Sequence, residues 1–268
     1  MRCRTLLDYF WRYVCTPPQK SIPSEYNATA IGTLDLHISG GSMDADGFTI
    51  HQLELGPMEN FIYVIEDHAT RRAAVVDPAW EVDKVIQLAE EKGLTISDVL
   101  LTHSHADHVN GVADLLEHAA AEVHVLKSEA DFWGKQGFPV TQHHGGDEVL
   151  VGKTPIQFLH TPGHTPGSAC FHVHDQLLTG DTLFIYGCGR CDLKGGDPEA
   201  MYHTLKKLAQ HFPAETRILP GHNYAHEPST TLREQIAGNP FMHFHNVADF
   251  VRYRMVEHKR ETPYGPIE

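Results

Sequence analysis

Four side chains able to hold a metal, His103, His105, Asp107 and His108, stand within six positions directly after the apolar run Val99–Thr102. Imidazole nitrogen and carboxylate oxygen suit zinc, iron and manganese. Ligands on one tight loop at the end of a strand face a single point without a long, entropically costly closure. An ion that keeps a position open for substrate takes about three protein ligands, so this run needs partners. Three candidates follow downstream: His164, Asp181 and His222, each after a short apolar segment and each preceded by a glycine, which permits close backbone approach. Histidines number 21, as many as lysine and arginine together, so any single Gly-His pair could arise by chance. The ordered set of cluster, Gly-His, Gly-Asp and Gly-His does not, and it obliges the chain to carry several strand ends to one place.

Composition limits what such a chain does. At 268 residues it fits one large domain or two small ones. A net charge of −14 argues against nucleic acid or an anionic membrane surface as the main partner. Five cysteines, an odd number without framework spacing, make a reducing cytoplasm the expectation. Cys188 and Cys191 form a C-x-x-C pattern with no second pair to complete a structural zinc site. Residues 1–47 differ in character from the rest and read as an extension and linker. Its apolar stretch Leu6–Val14 is interrupted by Asp8 and Arg12, so it is too short and too charged to span a membrane. Met43, just ahead of the first convincing strand, is a candidate start of translation.

From Phe48 the chain alternates short apolar runs and helical patterns. Strands are expected at Phe48–Leu55, Asn60–Glu66, Ala73–Asp77, Val99–Thr102, Glu122–Leu126, Ile156–Leu159, Ala169–Val173, Gln176–Thr179 and Arg217–Leu219. Helices are expected at Val82–Lys92, stopped by Gly93, at Gly111–Ala119, and at Pro198–His211, capped by Asp197. Two more, Thr230–Ala237 and Val247–Lys259, finish the chain. The last carries Val247, Phe250, Val251 and Met255 as a buried stripe, with Arg252, Arg254, Lys259 and Arg260 on a solvated face. His143 and His144 read as a polar surface loop. Periodicity by itself supports an α/β class with two sheets. Two halves, each of strands followed by helix with ligands at strand ends, suggest an αββα sandwich with the site along one edge.

These motifs are those of a known family: over about Phe48 to Met242 the chain resembles the metallo-β-lactamase-fold hydrolases. Gly187-Cys-Gly-Arg190, Met201–Leu205 and Gly221-His-Asn-Tyr224 are similar to the branch containing glyoxalase II, the hydroxyacylglutathione hydrolases, and the persulfide dioxygenases. The resemblance implies an αββα sandwich of two mixed β-sheets flanked by helices, with residues 48–242 as catalytic domain and 243–268 as helical tail. It implies His103, His105 and His164 around one metal, Asp107, His108 and His222 around a second, and Asp181 between them. Two divalent ions, zinc or a zinc and iron mixture, would share a water made acidic enough to attack a thioester at neutral pH. Asp107 would steer that nucleophile or take its proton. Arg190 and Tyr224 would help to hold an anionic thioester or thiol conjugate, S-lactoylglutathione being the type substrate. Asp192 stands where glyoxalase II has an aromatic residue, and Arg190-Cys-Asp192 is nearer to the persulfide dioxygenases. The alternative reading is therefore a dioxygenase holding one iron through His103, His164 and Asp181. Lactonase activity and a non-catalytic binding module complete the field.

Overall fold

The computed structural model describes residues 47–258. The candidate start at Met43, most of the extension at residues 1–47, and Lys259 and Arg260 lie outside the described residues.

Two six-stranded sheets form the frame. The first has strands β1 (Phe48–Leu55), β2 (Asn60–Asp67), β3 (Arg72–Val76), β4 (Thr95–Leu100), β5 (Glu122–Leu126) and β6 (Thr141–His143), in that order. Its first three strands are antiparallel neighbours, and from β3 to β6 the pairing is parallel. The second sheet contains β7 (Glu148–Val151), β8 (Thr154–His160), β9 (Ala169–Val173), β10 (Gln176–Gly180), β13 (Arg217–Pro220) and β14 (Thr230–Thr231), in the order β14-β13-β10-β9-β8-β7. A short hairpin, β11 (Leu183–Phe184) with β12 (Gly187–Cys188), stands apart.

Three apolar clusters define the layers. Phe48, Tyr63, Ile65, Val76, Leu100 and Leu126 of the first sheet share one with Ile156, Phe158, Phe171, Leu178 and Leu219 of the second, which is the interior between the sheets. The other face of the first sheet packs Val64, Val75 and Val99 on Val85 and Leu88 of α1 (Val82–Lys92) and Leu115 of α3 (Val112–His118). The other face of the second sheet packs Leu177 and Ile218 on Met201, Leu205 and Leu208 of α5 (Pro198–His211), with Phe250 of α7 (Val247–Arg252). This is the αββα sandwich, and it follows from sheets too apolar on both faces to leave either one wet.

Several expected elements differ in extent, each for a local reason. The strand expected at Val99–Thr102 runs from Thr95 to Leu100, because Arg72 and Thr95 open its parallel register while Thr102 leaves the ladder to donate its backbone N–H to the Asp77 carboxylate at 2.7 Å. The helix expected at Thr230 starts at Leu232 in α6 (Leu232–Gly238), because Thr231 and Glu234 form a reciprocal capping box. After Arg252 the last helix widens into a π-turn over Tyr253–Glu257, and that change of phase buries Arg254, which the sequence placed on a solvated face. Its Nε donates to the Gly189 carbonyl at 3.1 Å. His143 is a strand residue at the sheet edge rather than part of a surface loop. Among the described residues no helix is long and apolar enough to cross a membrane.

Candidate metal centre

The ligand candidates gather where strands of both sheets end. β4 leads into His103 and His105, the one-turn helix α2 (Ala106–Val109) carries Asp107 and His108, the loop after β8 carries His164, β10 delivers Asp181 and β13 delivers His222. Close approach of these ends depends on glycine at two of them. Gly180 has φ +46° with Thr102 against it, and a Cβ on Gly221 would lie 2.6 Å from Asp181 Oδ1.

Two three-residue groups result. His103, His105 and His164 form one, with His164 Nε2 and His105 Nδ1 2.9 Å apart. Asp107, His108 and His222 form the other: the two imidazole Nε2 atoms are 3.2 Å apart and each lies 3.4 Å from Asp107 Oδ2. Asp181 lies between them. Its Oδ2 is 3.5 Å from His164 Nε2, while its Oδ1 is 3.3 Å from His108 Nε2 and 3.4 Å from His222 Nε2.

The far nitrogen of several rings is fixed from outside, which decides the atom each presents inward. His164 Nδ1 bonds the Arg190 carbonyl at 2.7 Å and His222 Nδ1 the Met58 carbonyl at 2.8 Å. His108 Nδ1 meets Asp77 Oδ2 at 3.0 Å. Each therefore carries a proton outward on Nδ1 and presents Nε2 inward, the atom whose lone pair a cation would take in place of any second proton. Asp77 and two of the histidines also lie close enough together to form a third candidate group. Its oxygens are already occupied, however, by His108 and by the Thr102 N–H and hydroxyl, so it orients rather than ligates. Asn60, buried at the start of β2, donates to the Asp107 carbonyl at 2.9 Å and to its Oδ2 at 3.2 Å, and receives the Trp80 indole N–H at 2.8 Å. The sequence reading missed Asp77 and Asn60 as site residues. The available signal was a polar side chain at the site-facing end of an apolar strand.

Whether a cation suits this cluster can be judged from its leftover atoms and its charge. His103 Nε2 and Asp181 Oδ1 are buried without any hydrogen-bond partner, a cost that coordination removes. Burial, reinforced by the neighbouring histidines, depresses His103 and His105, and takes His164 to about 4, so this group is neutral with lone pairs available. The second group behaves oppositely. Burial pulls on His108 and His222 too, but the Asp181 carboxylate with Asp77 or Asp107 outweighs it, holding His108 well above its usual range and His222 at about 9. Burial likewise opposes ionisation of Asp107, yet His222 and His108 bring it to about 2, and Asp181 is held well below the carboxylate range by the same pair. Protons thus supply positive charge where a cation would, between two Nε2 atoms too close to share a site comfortably when both are protonated. The donor set fits divalent metal.

The two expected substrate-binding residues are placed differently. Arg190 supplies its carbonyl to His164, but its guanidinium is turned to Asp192 in a two-pronged pair, Nε–Oδ1 3.1 Å and Nη2–Oδ2 2.9 Å. Tyr224 stacks on His222 at 4.7 Å between centroids and meets Phe184 edge-on. Cys188 and Cys191 are free and buried. Burial raises both thiols, Cys191 to about 11, so neither is a thiolate poised for redox or metal chemistry.

Comparison with known proteins agrees with this geometry. The family model described as the metallo-beta-lactamase superfamily matches residues 55–222. A probable polyketide biosynthesis zinc-dependent hydrolase of Bacillus velezensis is 32% identical over 206 residues, 77% of this chain and 90% of the relative. A hydroxyacylglutathione hydrolase of Cereibacter sphaeroides is 38% identical over 169 residues, 62% of this chain, which spans 64% of that relative's length. Among solved structures, ETHE1 from Myxococcus xanthus matches with a TM-score of 0.71 and 33% identity, covering 78% of this chain and 90% of that one. The chain belongs to the metallo-beta-lactamase superfamily, in the branch that includes the hydroxyacylglutathione hydrolases and ETHE1.

Proposed function

We propose that this protein is a hydrolase that uses two divalent metal ions to cleave a thioester, with a glutathione thioester such as S-lactoylglutathione as substrate. The observation that carries the reading is Asp181, whose two carboxylate oxygens face two separate ligand groups. His103, His105 and His164 would hold one ion, Asp107, His108 and His222 the other, and Asp181 both. Zinc suits this donor set and is named for a relative. When bound, such ions make water nucleophilic at neutral pH and offset charge on a developing oxyanion.

The chain's own residues supply orientation. Asn60 fixes the Asp107 carboxylate through its amide, and Trp80 fixes the amide. Asp107 steers the attacking water. Tyr224 and Phe184 form an aromatic wall beside His222 against which the acyl or thiol moiety packs. Arg190 meets an anionic substrate only by exchanging Asp192 for it, which makes its contribution to binding modest.

A second reading has its own observation. The Arg190–Asp192 pair within Gly187-Cys-Gly-Arg-Cys-Asp192 favours a persulfide dioxygenase holding one iron through His103, His164 and Asp181. Metal analysis of the purified protein, alongside a panel of S-lactoylglutathione, glutathione persulfide and a lactone, separates the two. Two equivalents of metal with thioester hydrolysis support the first reading. One iron with oxygen uptake replaces it with the second.

A further inference from the structure

We propose that Glu129 is a positioning residue that sets how tightly the group His103, His105 and His164 holds its ion, while leaving the group Asp107, His108 and His222 alone. The inference rests on the two-metal reading above.

Glu129 lies in α4 (Lys127–Trp133), away from every motif that marks the site in the sequence, and is fully buried at 0% exposure. Its carboxylate accepts four hydrogen bonds. Oε1 takes the Ser104 backbone N–H at 2.8 Å and the Ser104 hydroxyl at 2.6 Å. Oε2 takes the Thr165 hydroxyl at 2.7 Å and the Gly167 N–H at 3.0 Å. Ser104 is the residue between His103 and His105, and Thr165 is the residue after His164. One carboxylate therefore ties together the two loops that carry all three histidines. The approach is close enough that a Cβ on Gly167 would lie 2.0 Å from the Glu129 backbone nitrogen.

None of these bonds reaches the second group. His108 is held by Asp77 and His222 by the Met58 carbonyl. Glu129 thus serves the first group alone, whereas Asp77 also reaches that group through Thr102, whose hydroxyl lies 3.0 Å from His103 Nδ1. A glutamine in its place keeps the volume but turns an NH2 towards two donors on one side, so one loop loses its acceptor. The loops must then be ordered by the ion itself, and the negative charge behind the histidines is gone; both effects weaken binding.

The test is zinc titrated into metal-stripped protein against a chromophoric chelator. Wild type should take two equivalents. Glu129→Gln should weaken one of them by about 10- to 100-fold and leave the other within about threefold. Ser104→Ala and Thr165→Val, each removing one of the four bonds to Glu129, should shift the same equivalent by less; they carry the test if the glutamine variant does not fold. A role confined to stability would instead lower the melting temperature of the metal-free protein and move both equivalents together or neither, and either of those outcomes overturns the inference. Wild type that takes up no zinc would instead remove the two-metal reading.

Discussion

The candidate metal centre and the row Asp98–His124–His143 are both buried assemblies of histidine and carboxylate in the same sandwich, and they are built to different ends. In the row, His124 Nε2 bonds Asp98 Oδ1 at 3.1 Å, His124 Nδ1 meets His143 Nε2 at 2.9 Å, and the Ser97 hydroxyl donates to Asp98 Oδ2 at 2.5 Å. These residues sit on β4, β5 and β6, neighbouring parallel strands, and His143 stacks on Phe158 of the opposite sheet at 4.6 Å. Both ring nitrogens of His124 are satisfied. In the centre, rings as deeply buried (His103 is 1% exposed and His124 4%) leave Nε2 of His103 with no partner. Burial and clustering do not by themselves mark a ligand set. Lone pairs left over after every local hydrogen bond is made do.

The contrast breaks most readily at Asp181. Asp181→Ala should strip both metals, because one side chain faces both groups, and should lower kcat/KM for the thioester by more than the roughly 10³-fold that a lost oxyanion donor costs. His124→Asn, equally buried, should leave metal content intact and activity within about threefold. Metal analysis and steady-state rates on the two variants decide it: metal and rate retained in Asp181→Ala, or lost in His124→Asn, would erase the distinction. Next in size is Asp77→Asn. Its amide would face His108 Nδ1 with N–H, moving the imidazole proton to Nε2 and removing the inward lone pair. A loss of about 10- to 100-fold in affinity at the Asp107, His108 and His222 group is expected, read by competitive zinc titration. Unchanged affinity would make Asp77 purely structural.

Much of this arrangement is legible in the sequence, and the reason is locality. β1, β5, β9, α1 and α5 have the bounds that the sequence indicates, because their ends are written in adjacent residues: Asp197 caps α5 with Pro198 behind it, and Gly93 closes α1 in the left-handed conformation. The seven ligand candidates are legible because each adjoins a glycine or another candidate. What escapes depends on partners far away in the chain. β6 is three polar residues that become a strand only by pairing with β5, and α4 has no repeating apolar face. Asp77, Asn60 and Glu129 are single polar residues whose partners lie 20 to 47 positions distant. Arg254 is buried by a π-turn that no helical periodicity foresees.

Smaller effects sharpen the other side of the comparison. Asp98→Ala should cost about 1–3 kcal/mol of stability, since it leaves a buried histidine donor unmet, with no change in metal uptake. Denaturant unfolding measures it; a loss of metal would show the row and the centre to be coupled.

The smallest effect is a pH dependence at His143. Burial, then His124, lower its pKa from 6.5, against the pull of Asp147 and Glu122, with His144 adding to the depression. The folded protein therefore holds fewer protons on this ring than the unfolded chain once the pH drops below about 6.5. The stability that the neutral ring contributes is present above that pH and is lost progressively as the pH falls through the folded pKa. His143→Asn removes the titration along with the bond to His124. The variant should be the less stable of the two near neutrality, and the gap should narrow between about pH 7 and about pH 5. Parallel melting-temperature profiles of wild type and variant over that range would show that the ring does not titrate with folding, whereas convergence on the acid side marks the row as a structural element that acid weakens.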